Sequence, residues 1–277
     1  MDIRVEVDPD EVLPGQSVEA TIRVVLADDL VVEEGRVDLV YENEYAYRTR
    51  RNSYLSWARE ETVTDQVVEA SARFLARSAL AADTPYDETV SLTVPETAAP
   101  SAEGTITSVR WWAIARLARQ RGRDVRGYAE LRVLSEPQLN LPPAVVAIHG
   151  DCELSFELDQ DDFGPGEVVE GTVVATPLRN CAAQAVRVEL VRREEVPRDE
   201  GNAVDVVEDE TSIAETVSLT AGVPQEWPFQ LRLPEIVAPS LRTDQSRVTW
   251  LLKGIASRRL RSDYTIVLPI DVHTAPS

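Results

Sequence analysis

Lysine is almost absent from this 277-residue chain: Lys253 is the only one, and the other basic residues are arginine. Twenty-eight basic residues face 48 acidic ones, a formal net charge of −20. Affinity for nucleic acid comes mostly from Lys and Arg on phosphates, so this balance argues against a nucleic-acid partner. It argues equally against general adsorption to anionic lipid. Genome composition, or a salty cytoplasm that favours acidic surfaces, accounts for the charge without a functional meaning. No run of about 18 apolar residues occurs, so no integral membrane segment is expected. The opening "MDIRVEVDPDEV" is charged and lacks the apolar centre of a signal peptide, which leads us to expect a cytoplasmic protein.

Reactive side chains are equally scarce. Cys152 and Cys181 are the only cysteines, too few for a disulfide framework and not in a Cys-x-x-Cys pair that would point to zinc. They read as buried free thiols. His149 and His273 are the only histidines. His273 is four residues from the C-terminus and reads as exposed. His149 has Asp151 two positions on, a spacing that puts both side chains on one face of a strand without making a general base. There is no Gly-x-Ser-x-Gly elbow and no Gly-rich phosphate loop. We therefore assign no catalytic residue, no metal ligand and no cofactor, and expect a protein that is not an enzyme.

What the chain does have is an internal echo. "VPETAAPS" (94–101) returns as "LPEIVAPS" (233–240), 139 positions later. The same offset maps Leu92 onto Leu231, Val109 onto Val248, Trp111 onto Trp250 and Arg119 onto Arg258. Upstream, "DPDEVLPGQSVEAT" (8–21) matches "DQDDFGPGEVVEGT" (159–172) at an offset of 151. The offset falls by 12, so the first copy holds about a dozen extra residues between Thr21 and Leu92. A period of this size exceeds the roughly 20–50 residues of a solenoid and implies a duplicated domain. The length suits two domains of roughly 100–150 residues each.

Each copy reads as strands. Ile3, Val5 and Val7 alternate with Arg4, Glu6 and Asp8; Val18, Ala20, Ile22, Val24 and Leu26 alternate in the same way. This is the period of a strand buried on one face. Pro-Gly between them is a turn signal, giving a hairpin. Val37, Leu39 and Tyr41 alternate in the next strand, as do Val186, Val188 and Leu190 in its counterpart. Residues 63–81 carry two signals: alanine content favours helix, whereas the repeat lays them on the alternating stretch "ETSIAETVSL". Strand is the reading adopted, with a short helix after Phe74 left open. The proline phrase holds a short extended crossing after a strand, because neither proline can donate to a ladder. "SEPQLNLPPA" (135–144), with three prolines, is the linker candidate.

These features resemble the arrestin-like superfamily over nearly the whole chain. "VLPGQSVEATIRV" and "FGPGEVVEGTVVA" fit its strand, Pro-Gly turn and Val-rich strand; "LTVPETAAPS…SVRWW" and "LRLPEIVAPS…RVTWLL" fit its proline phrase followed by an aromatic strand. The simple two-domain plan is most similar to the bacterial and archaeal sporulation-control proteins. The resemblance implies an all-β chain of two tandem arrestin-like (immunoglobulin-like) β-sandwich domains, 1–136 and 145–277, joined by a short Pro-rich linker. It also implies an adaptor, scaffold or regulator working through protein–protein contacts, with homo-oligomers compatible with that role. The chain lacks a C-terminal Pro-Pro-x-Tyr motif and a phosphate-sensor signature, so receptor or cargo binding does not carry over.

Two segments are candidate sites. "DQDDFGPGEVVE" resembles a calcium loop, with Asp159, Asp161, Gly164 and Glu170 at its first, third, sixth and twelfth positions. Phe163 at the fifth offers no oxygen, the flanks read as strands, and the other copy has Leu13 for the glycine. A hairpin turn rich in acids accounts for both copies. "YENEYAYRTRRNSYLSWARE" (41–60) concentrates tyrosine, tryptophan and arginine in the copy with the extra residues. Interfaces favour those three residue types. We expect a partner site at Arg48, Arg50, Arg51, Tyr54 and Trp57; the alternative is tyrosines packed along a strand with arginines neutralising local carboxylates. The competing function is a β-sandwich module that binds carbohydrate or a metal ion, with this segment as a stacking platform.

Overall fold

The computed structural model describes residues 2–49, 59–120, 122–137, 146–149, 151–259 and 261–275. The chain divides into two compact units, Met1–Ser135 and Glu136–Ser277. Among the described residues every regular element is a strand. None is a helix long and apolar enough to cross a membrane.

The first unit runs β1 (Asp2–Asp8), β2 (Glu11–Val12), β3 (Ser17–Val25), β4 (Leu30–Thr49), β5 (Arg59–Leu75), β6 (Ser78–Leu80), β7 (Tyr86–Thr93), β8 (Ala102–Glu103), β9 (Thr107–Arg119) and β10 (Val125–Val133). It makes a three-stranded sheet, β1-β3-β7, and a larger one, β2-β10-β9-β4-β5, with β6 on β4 and β8 on β9. The second unit runs β11 (Val146–His149), β12 (Cys152–Leu158), β13 (Asp162–Phe163), β14 (Val168–Pro177), β15 (Cys181–Val196), β16 (Asn202–Leu219), β17 (Gln225–Arg232), β18 (Leu241–Arg242), β19 (Arg247–Ser257) and β20 (Tyr264–Val272). Its sheets are β11-β12-β14-β17 and β13-β20-β19-β15-β16, with β18 on β19. Strand for strand the order is the same. The first unit adds β6 and the second adds β11. Two sheets per unit, each burying alternate residues, give a β-sandwich-like all-β architecture.

The alternation seen in the sequence is the alternation of burial. Val18, Ala20, Ile22 and Val24 of β3 are completely buried. Trp111 and Leu117 of β9 and Leu39 of β4 fill the core of the first unit. Trp250, Leu190, Phe156 and Ile266 do so in the second. Full burial of each such side chain is worth roughly 1.5–3 kcal/mol.

The repeated motifs are repeated hydrogen bonds. Gln16 N donates to Leu13 O at 3.1 Å, and Glu167 N to Gly164 O at 3.3 Å. Proline occupies the second position of each turn, and Gly15 (φ 83°) and Gly166 (φ 73°) occupy the third. That is the type II turn, which requires positive φ there. The fourth residue, Gln16 or Glu167, accepts from the first residue's N–H through its side chain, at 3.0 and 2.9 Å. In the proline phrase Ser101 N donates to Val133 O, and Ser240 N to Val272 O. Each serine hydroxyl accepts in return from the same valine's N–H, at 3.0 and 2.9 Å.

The long hairpins agree down to their irregularities. Across β4–β5, Leu39 pairs Ala70 and Val40 pairs Val68, which leaves Glu69 as an extra residue. Across β15–β16, Leu190 pairs Asp209 and Val191 pairs Val207, which leaves Glu208. A second bulge sits at Phe74 in one hairpin and Ile213 in the other. Both pairs are 139 positions apart. Bulges re-aim side chains and increase local twist.

Three expectations change or sharpen. Residues 63–75 belong to β5 and 78–80 to β6, and no helix follows Phe74. Phe74 and Leu75 turn inward, and Ser78–Leu80 pairs with Leu30–Val32. His273 is buried, 2% exposed, and not at the surface. The parallel pairing of β13 with β20 continues through His273 N to Phe163 O at 3.0 Å and holds the residue inside. Its Nδ1 lies 3.0 Å from Ala275 O. Of the linker candidate, Ser135–Pro137 is irregular, and 138–144 lies outside the described residues.

Candidate functional site

Of the arginine- and aromatic-rich segment, residues 41–49 end β4 and residues 59–60 begin β5. Arg48 is exposed near the end of β4, directly across from Glu60. Arg50, Arg51, Tyr54 and Trp57 lie outside the described residues. The three tyrosines upstream are structural. Tyr45 is fully buried and Tyr47 is 5% exposed. Tyr45 donates its hydroxyl to Asp65 at 2.9 Å, and Tyr47 donates to Glu61 at 3.4 Å. Their ring centroids are 6.2 Å apart, and Tyr41 packs on Trp111 at 5.3 Å. A buried ring with a bonded hydroxyl is anchored and is not free to meet a partner.

Around Arg48 the surface is acidic. Glu44, Glu60 and Glu103 line a small hollow of about 150 Å³ with Thr62 and the 105–108 backbone. Arg110 answers Glu103 through paired contacts of 3.0 and 3.2 Å, which hold its guanidinium above its ordinary range. On the outward face Gln66 donates to Glu42 and Thr64 to Glu44. The paired strands β4 and β5 thus carry Glu42, Glu44 and Glu60 on one face. β5 forms one edge of its sheet, and β16 the matching edge in the second unit.

Three features of the second unit were not apparent from sequence. A groove of about 740 Å³ opens between β12, β14, β16 and β17. Glu157, Asp159 and Glu170 supply carboxylates to it, Thr172 and Thr211 hydroxyls, and Phe229 an apolar wall. Two of those carboxylates, Asp159 and Glu170, belong to the calcium-like loop. Gln230 donates to Glu170 at 2.7 Å. No group of three or more His, Cys, Asp or Glu side chains among the described residues is arranged to hold a metal ion.

The second is a buried ion cluster. Glu194 is completely buried, and Arg192 contacts it while donating to Glu208 at 2.8 Å. Arg192 and Glu194 occupy the places of Tyr41 and Asn43 of the first unit. The cross-strand partners show this: Trp250 and Val248 face one pair, Trp111 and Val109 the other. The third is the neighbourhood of the cysteines. Cys152 is buried and Cys181 half-buried, both with free thiols. Burial, then the proximity of Cys181, pushes the Cys152 thiol up to about 11. Burial, then the proximity of Cys181, holds the Tyr264 phenol above its usual range.

The chain matches no protein-family model and no curated protein.

Proposed function

We propose that the protein is a non-enzymatic adaptor, scaffold or regulator of the arrestin-like, sporulation-control type: two tandem β-sandwich domains that act through protein–protein contacts. The observation that carries this reading is the twofold use of one strand order, down to matched bulges and matched serine hydrogen bonds. Two copies of one module give two sets of loops and two long edge strands, the surfaces by which such modules hold partners. The interior is filled mainly by aliphatic and aromatic side chains.

The partner surface in this reading is the segment that holds Arg48, Arg50, Arg51, Tyr54 and Trp57. Affinity purification of the tagged chain from its host, followed by mass spectrometry, identifies what it holds. Replacing Arg50, Arg51 and Trp57 together by alanine then removes that partner and leaves the melting temperature unchanged. Retention of the partner by the triple variant contradicts the site, and loss of folding assigns the segment a structural role.

The groove of the second unit supports a second reading, a ligand-binding module. Its carboxylates and hydroxyls beside Phe229 suit a hydroxyl-rich or cationic small molecule. A thermal-shift panel of sugars and divalent cations tests it, because a ligand held only by the folded state raises stability.

A further inference from the structure

The two cysteines are 29 positions apart in sequence, and strand pairing brings both to one corner of the second unit. Cys152 opens β12, in the smaller sheet of the second unit, and faces inward with no exposure. Its cross-strand partner is Pro177, at the end of β14. Four residues on, Cys181 opens β15 in the larger sheet, across from Leu219. The corner between them is stitched on both sides. Leu178 N donates to Asp151 O at 2.7 Å, Gly222 N to Pro177 O at 2.7 Å, and Ala221 N to the Asn180 side chain at 2.8 Å. Cys152 belongs to the buried apolar cluster of the second unit, and the half-buried Cys181 packs against the same cluster. Arg258 lies over the Tyr264 ring, 3.9 Å from its centroid.

The first unit serves as an internal control. An offset of 151 puts Met1 and Leu30 in the places of the two cysteines. The thiols are therefore not a requirement of the strand order, which the first unit achieves without them. The second unit alone places one thiol on each of its two sheets, Cys181 half-buried and Cys152 fully buried.

We propose that Cys152 and Cys181 form a redox pair that a hydroperoxide closes into a disulfide joining the two sheets of the second unit. The more exposed Cys181 thiolate attacks the peroxide oxygen. The O–O bond breaks, a sulfenic acid forms, and the leaving hydroxide takes up a proton as water. The Cys152 sulfur then attacks the sulfenic sulfur, the S–O bond breaks, and a second water leaves with the Cys152 proton. Two thiols are oxidised by two electrons and one peroxide is reduced to two waters. Bridging the two sheets closes a loop of about 30 residues, a length at which a well-fitted disulfide stabilises the folded state.

The test uses the full chain, reduced and then exposed to hydrogen peroxide, unfolded in the presence of an alkylating agent and weighed intact. The expected result is a fall from two alkylated thiols to none, a mass lower by about 2 Da than that of the reduced chain, and no covalent dimer. Dithiothreitol should restore both thiols. The oxidised chain should also gain on the order of 10 °C in the melting of its second unit. In a Cys152→Ala chain, peroxide should instead add oxygen to Cys181. Retention of both thiols overturns the proposal, as does over-oxidation of Cys181 with Cys152 still alkylatable, or a disulfide linking two copies. The mass measurement on the unaltered chain decides the matter even if Cys152→Ala does not fold.

Discussion

The Trp250 indole N–H donates to the backbone carbonyl of Ala238 at 2.9 Å, and the Trp111 indole makes the same bond to Ala99 at 2.9 Å. In each case the acceptor is the residue just before the second proline of the repeated phrase. Each indole is buried, at 1% exposure or less. The bond explains why a tryptophan accompanies the proline phrase at the same distance in both copies. The crossing after β7 or β17 runs without ladder partners of its own, and the indole of the next long strand satisfies one of its carbonyls.

Replacing either tryptophan by phenylalanine keeps the ring and removes the donor. A buried carbonyl left without its partner costs about 1–3 kcal/mol. Trp111→Phe and Trp250→Phe should each lower stability by that amount in urea unfolding, and Trp→Ala by about 3–5 kcal/mol. Tryptophan to phenylalanine changes that leave both transitions in place would show that the bond contributes nothing.

The buried ion cluster makes a sharper demand. Glu194 has no exposure, and the Arg192 guanidinium contacts it directly. Removing one member of a buried ion pair typically costs about 3–5 kcal/mol, whereas replacing both by apolar residues is often neutral. Arg192→Met should therefore destabilise the chain strongly, and the double change Arg192→Met with Glu194→Met should recover most of the loss. Chemical denaturation of the three variants measures the coupling. An additive double variant would contradict the pairing.

Acid should weaken the second unit through Asp205. A bidentate contact with Arg193, at 2.7 and 2.8 Å, and the only lysine, Lys253 at 2.8 Å, hold this carboxyl well below its ordinary range. A carboxylate depressed in the folded state adds stability that is fully present above its unfolded value near 3.9. That stability is lost as pH falls through the lower folded value. Because Asp205 is about a third exposed, solvent screening limits its contribution to about 1 kcal/mol or less. Asp205→Asn should cost this much at pH 7, and the gap from the unaltered chain should close as the pH drops below about 4. A gap that stays constant down to the lowest pH would show that the carboxylate charge is not its origin.

Much of the architecture was legible in the sequence because strand burial has a period of two and because the plan is written twice. Val18 through Val24 and Val186 through Leu190 announced their buried faces directly. Some features were not legible, each for a physical reason. The bulges at Glu69 and Glu208 change register without changing composition. Arg192 and Glu194 continue the inward face of β15, yet charged residues there read as the solvent end of a strand. His273 read as exposed because chain ends usually are; its backbone bond to Phe163 depends on a strand some 110 positions away. Tyr45 and Tyr47, upstream of the expected site residues, fitted either an interface or a packed strand, because the same amphipathic rings serve both. The acceptors of their hydroxyls, Asp65 and Glu61, lie on the returning strand and are visible only once β4 and β5 are paired.

If one module is used twice, each of the two compact units should hold itself together. Expressing residues 1–135 and 136–277 as separate chains is the decisive experiment. Each fragment is expected to give a dispersed amide spectrum and a single cooperative unfolding transition, with Trp111→Phe weakening the first fragment and Trp250→Phe the second. Fragments that are unfolded alone and gain structure only when mixed would contradict it.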